Sequence, residues 1–175
     1  MGTLNIYMRH SLFLLAGLFF FVTSCARGIE VEKAIQITDV QTGWYDAGIM
    51  ADGKNKLVPS ILFRVTNISD KTVARVQFNA VFRRIGEEDT TWGEHFVRGI
   101  GSDGLEPGAT GGDIVLRSNL GYTGTQSRSQ MLQNREFVDA RVEIFGKQGP
   151  RSWIKVGDYQ IDRQLLTRQA PLGAK

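Results

Sequence analysis

The 175-residue chain carries 21 basic and 18 acidic residues, two histidines, one cysteine, 20 glycines and four prolines, for a net charge of +3. No run of Lys or Arg exceeds the pair Arg83-Arg84, which excludes nucleic acid as the expected partner. A single cysteine excludes a disulfide framework within the chain, and a chain of this length builds one core by default.

The first ten residues, MGTLNIYMRH, hold no acidic side chain and end in Arg9-His10. Residues 12–22 then form an uncharged apolar run. As a helix this run spans about 16 Å, roughly half of a ~30 Å hydrocarbon core. It is short for a membrane-spanning helix and fits the apolar centre of a signal peptide. The run closes on Val22-Thr23-Ser24-Cys25, with Ala26 following. These four residues resemble the lipobox of bacterial lipoproteins: an apolar residue, two small ones, then cysteine.

The resemblance implies removal of residues 1–24, a diacylglycerol thioether on the Cys25 thiol and an acyl chain on the new amine. A thiolate is nucleophilic enough for that transfer near neutral pH, and the small Thr23 and Ser24 give a peptidase room. It also implies the bacterial cell envelope, and Ala26 is similar to the residue found in lipoproteins forwarded to the outer membrane, on its periplasmic face. Two or three acyl chains, at about 0.8 kcal/mol per buried methylene, would anchor effectively permanently where one is marginal. The membrane is therefore an expected partner. Cys25 has no second cysteine to pair with, so the domain must stand on its core alone. Arg9 is the one charged residue of the leader, leaving the mature chain at +2. Residues 25–34 read as a lipidated polar tether, 35–167 as the folded body and 168–175 as a flexible tail.

Period-two alternation governs the body. Strands are expected at 34–40, 44–50 and 61–66, the last with Ile61, Phe63 and Val65 on one face. Asn67-Ile68-Ser69-Asp70-Lys71 is rich in turn formers and suggests an antiparallel hairpin to the next strand. There Ala74, Val76, Phe78, Ala80 and Phe82 make an apolar face against Arg75, Gln77, Asn79 and Arg83. Further strands are expected at 95–98, 113–117, 138–144 and 153–161, with a short helix at 129–136. The fold class is all-β: a single immunoglobulin-like antiparallel β-sandwich of about seven to eight strands. ILFRVTNISDKTVARVQFNAVF followed by LEPGAT is similar to small extracytoplasmic immunoglobulin-like modules of the FxLYD type, over residues 57–116. Those modules share no catalytic activity, so the resemblance carries no active site across.

Gly99, Gly101 and Gly104 match G-x-G-x-x-G, but Leu105-Glu106-Pro107-Gly108 opens no helix behind them, and a loop between strands is expected. His95, the one histidine after processing, sits beside Glu94; that pair falls short of the three or four ligands a metal requires. Asp103 and Asp113 lack the spacing of a calcium loop. No catalytic residue, metal or cofactor beyond the covalent lipid is expected. Two aromatic segments remain, 43–46 with Trp44 and Tyr45, and 119–128 with Leu120 and Tyr122. They either contact a partner or cap the core with their polar tips. The expected function is a lipid-anchored, non-catalytic accessory or adaptor that binds another envelope protein through end loops or an open sheet edge. The alternative is a carrier of a small hydrophobic ligand or lipid, which needs several hundred Å³ of cavity lined by Phe63, Phe78 and Phe82.

Overall fold

The computed structural model describes residues 30–166. A one-turn helix, α1 (Val31–Ala34), leads into β1 (Ile35–Ile49). Then come β2 (Asn55–Asn67), β3 (Val76–Arg84), β4 (Gly93–Ile100), β5 (Ile114–Arg117) and the short β6 (Tyr122–Gly124). Helix α2 (Arg128–Gln133) separates these from β7 (Ala140–Gln148) and β8 (Ile154–Gln160). Hydrogen bonding sorts the strands into two antiparallel sheets, β1-β2-β5 with β6 also on β2, and β4-β3-β7-β8. Lettered in chain order without β6, the sheets read A-B-E and D-C-F-G. This is an immunoglobulin-like sandwich whose fourth strand lies beside the third rather than the fifth.

The alternating patterns supply the inner faces of both sheets. Val76, Phe78, Ala80 and Phe82 of β3 are buried, as are Ala140, Val142 and Ile144 of β7. Opposite them lie Ile61, Phe63 and Val65 of β2 and Leu116 of β5. Phe63 meets Phe78 edge-on across the sandwich, with ring centroids 5.6 Å apart. Each such large side chain contributes about 1.5–3 kcal/mol by leaving water. Gly99 of β4 makes room for the Phe78 ring, since a Cβ there would stand 2.4 Å from it.

The expected hairpin between β2 and β3 does not form, because the two strands belong to different sheets. Each has a full apolar face, and burying both requires that they meet face to face rather than edge to edge. The segment between them is an arch pinned by Asn67, which is fully buried. Its side-chain N–H groups donate to the carbonyls of Lys71 (2.8 Å) and Leu105 (2.7 Å), while Oδ1 accepts from the Ser69 amide and hydroxyl. At the end of the arch Arg75 adopts φ 56°. This left-handed residue shifts the alternation, so Val73 is buried in place of Ala74, which is half-buried.

The folded body also begins earlier than residue 35. Val31 and Ala34 are buried, and the Val31 side chain packs over Gly146 of β7 and next to Val156 of β8. The expected helix is present as α2, capped by Ser127, whose hydroxyl accepts from the Gln130 amide while the Gln130 side chain bonds back to the Ser127 amide. Residues 22–25 of the lipobox and 168–175 of the expected tail lie outside the described residues.

Strand direction defines two poles. At one stand α1, the Asn67 arch, the 101–113 loop and the β7–β8 hairpin. At the other stand the 50–54 turn, the 85–92 loop, the 118–139 region with α2, and the segment 161–166. Adding one methyl group at Gly99 tests the core. Gly99→Ala is expected to lower stability by about 1–3 kcal/mol, the usual cost of overpacking, measured as a fall in urea midpoint at unchanged m-value.

Candidate functional site

The α2 pole is built on an aromatic cluster. Trp44, carried inward by β1, is fully buried. Its ring lies 6.1 Å from Trp92, 5.6 Å from Tyr122 and 4.6 Å from Phe137. Tyr122 is half-buried and donates its hydroxyl to the Val138 carbonyl at 3.1 Å. Burial raises its pKa above the ordinary phenol value. Arg163 locks the cluster from outside: its guanidinium stands 5.4 Å over Phe137, donates to the Phe137 carbonyl and pairs with Asp139.

Of the four residues expected to meet a partner, Trp44 is buried in the core and Tyr122 packs half-buried against it. The glycines that made the Tyr122 segment resemble a binding loop serve packing. Gly121 lies so close to Leu57 that a Cβ would stand 2.1 Å from the Leu57 carbonyl oxygen. Tyr45 lies on the outer face of β1, half-buried beneath the Arg117 guanidinium at 3.8 Å. Leu120 alone keeps an open apolar side chain, 49% exposed.

Other apolar side chains share that pole with Leu120. Ile49 and Met50 precede the Met50–Lys54 turn, Ile85 follows β3, and Leu165 pairs in parallel with Trp44 along the edge of β1. All four are exposed. Leu165 also lines a groove of about 580 Å³, together with Leu132, Gln133 and Arg163 among others. Their signal in the sequence is an apolar residue at a strand end, outside any alternation.

The remaining candidates have structural duties. His95 Nδ1 accepts the Arg117 amide at 2.9 Å, joining β4 of one sheet to β5 of the other. Burial holds its pKa below the ordinary histidine value. Asp113 pairs with Arg64 at 2.7 Å. The G-x-G-x-x-G glycines lie in β4 and the loop behind it; Gly104 sits at φ 80°, next to the Val73–Leu105 bridge. Among the described residues no three His, Cys, Asp or Glu side chains gather as metal ligands. Phe63, Phe78 and Phe82 are closed into the core. They line neither the 580 Å³ groove nor one of about 620 Å³ between β1 and β8, whose walls include Gln41, Thr42, Asp158, Gln160 and Asp162.

On the outer face of the β4-β3-β7-β8 sheet, Glu143 and Asp158 meet Arg83, Arg141 and Lys155. Burial acts to raise Glu143, but donation from Lys155 and Arg83 outweighs it and leaves its pKa low. Arg141 lowers Asp158. Both carboxylates of the cluster are paired.

No family model matches the chain, and neither does any curated protein or solved structure. The geometry makes one prediction about pH. His95 titrates lower folded than unfolded, so its contribution is complete above about 6.5 and is lost as pH falls through the folded value. Wild type is expected to lose stability between neutral pH and about pH 5, measured by urea unfolding, and His95→Gln to flatten that part of the profile.

Proposed function

We propose that this chain is a lipid-anchored, non-catalytic accessory protein of a bacterial envelope, held to the periplasmic face of the outer membrane through Cys25. Its body would engage another envelope protein with the α2 pole. Val22-Thr23-Ser24-Cys25 supports the anchor, and Ala26 supports the outer membrane. The observation that carries the binding reading is the set of exposed Ile49, Met50, Ile85, Leu120 and Leu165 at one pole, where Leu165 also lines the 580 Å³ groove. That pole is the one opposite α1, where the chain comes in from the anchor.

The loops suit this role better than the sheet edges. The β1 edge is broken by a register shift between Thr38 and Gln41, where Asp39 takes φ 51°, and is covered at Trp44 by Leu165. β8 carries a register shift of its own opposite Ile144 and Phe145. Such irregularities oppose the addition of a further strand. The two-sheet sandwich is also compatible with the FxLYD-type resemblance, whose segment spans β2 to β5. A carrier role is less well supported, since the groove between the sheet edges has mostly polar walls.

Two measurements test these readings separately. Mass spectrometry of the mature N-terminus is expected to find a chain beginning at lipid-modified Cys25; intact Met1 with a free thiol removes the anchor. Met50→Asp with Leu120→Asp is expected to abolish recovery of at least one partner from crosslinked envelopes, while shifting stability by less than about 0.5 kcal/mol, as for ordinary surface changes. Equal recovery of every partner removes the α2 pole from the argument.

A further inference from the structure

The outer face of the β4-β3-β7-β8 sheet changes character along its length. Strand register arranges its side chains in rows. Toward the α2 pole, Glu94, Val81, Glu143 and Asp158 form one row, in which Glu143 and Asp158 are neutralised by Arg83, Arg141 and Lys155. Toward the α1 pole, the next rows hold Phe96, Asn79, Phe145 and Lys155, then Arg98, Gln77 and Lys147. No acidic residue stands in these two rows, whereas the tip of the α1 pole itself carries Glu30, Glu32, Asp70, Asp103 and Glu106.

The apolar part of this surface is open to solvent. Phe96 is 53% exposed and Trp153 is 38% exposed. Trp153 packs edge-on to Phe96 with centroids 5.9 Å apart, and the Lys147 ammonium stands 4.7 Å over the indole. Aromatic rings with cations around them suit the zone where lipid headgroups meet acyl chains.

We propose that this patch rests against anionic phospholipid headgroups, so that this face of the β4-β3-β7-β8 sheet, rather than the acid-bearing tip of the α1 pole, is turned to the bilayer. The inference builds on the lipid anchor proposed above, and chain length gives it force. Five peptide links separate Cys25 from Glu30, so Glu30 lies at most about 18 Å from the acylated residue whatever path the chain takes. The α1 pole is thereby held near the membrane, and the two acid-free rows are the part of this sheet face nearest to it. Charge complementarity favours anionic headgroups over neutral ones, at about 1 kcal/mol for each cation near the surface.

The tryptophans supply the readout. The chain has three, and Trp44 and Trp92 are buried, so Trp153 is the one exposed to a quencher. The full chain is reconstituted in phosphatidylcholine vesicles with or without phosphatidylglycerol, each carrying a lipid with a headgroup nitroxide. With phosphatidylglycerol, nitroxide quenching of tryptophan is expected together with loss of acrylamide quenching, and both effects should vanish in Trp153→Phe. Arg98→Gln with Lys147→Gln should lower the ratio of docked to undocked domain about 30-fold, which is 1 kcal/mol per cation. Circular dichroism confirms that the variants fold. Equal acrylamide quenching in both vesicles overturns the inference, whether or not Cys25 carries lipid. Shielding that requires added envelope protein also overturns it and makes the patch a protein interface. Lipid on Cys25 is read independently by mass spectrometry, so failure of the anchor and failure of the patch are told apart.

Discussion

Two sheets with one apolar face apiece have to bury those faces against each other, and the rest of this structure follows from that meeting. The contact of Phe63 with Phe78 lies at its centre. The single cysteine stands at position 25, outside the described residues, so no disulfide joins the sheets, as one joins them in antibody domains. Polar bonds take up part of that task at the margins. His95 reaches from β4 to the Arg117 amide of β5, and Asn67 ties the end of β2 to the arch and to Leu105. The core must therefore fit closely, which is why Gly99 and Gly121 stand where a methyl group would collide with its neighbours.

Much of this was legible in the residues. The alternation of Val76, Phe78, Ala80 and Phe82 located β3 and its buried face, and Val142 with Ile144 did the same for β7. The partnership of β2 was not legible. Asn67-Ile68-Ser69-Asp70-Lys71 has the composition of a hairpin turn, and composition does not distinguish a turn within a sheet from an arch between sheets. What decides is tertiary: Asn67 finds the Leu105 carbonyl 38 residues away. The shift at Arg75 was hidden for a similar reason, because a left-handed backbone at a non-glycine residue leaves no mark on an apolar pattern.

The aromatic residues show the same boundary at the candidate site. Trp44 and Tyr122 lie among glycines and polar residues and read equally well as contact or core. The structure places both in one cluster, using the Tyr122 hydroxyl on Val138. The open apolar surface belongs instead to Ile49, Met50, Ile85 and Leu165 beside Leu120. The exposed aromatic residues Phe96 and Trp153, with Arg98 and Lys147, belong to one outer sheet face, and the exposed aliphatic ones gather at the far pole.

The course of β1 has a mechanical consequence. It starts beside α1 at one pole and runs antiparallel to β2, from Ile35 opposite Asn67 to Ile49 opposite Asn55 at the other. A force between an anchored N-terminus and a partner gripping the far loops would act along the axis of this strand. Its ladder to β2 would then be sheared, with many hydrogen bonds sharing the tension, instead of being unzipped one bond at a time. A domain strung in that direction resists extension along the line on which it would be pulled.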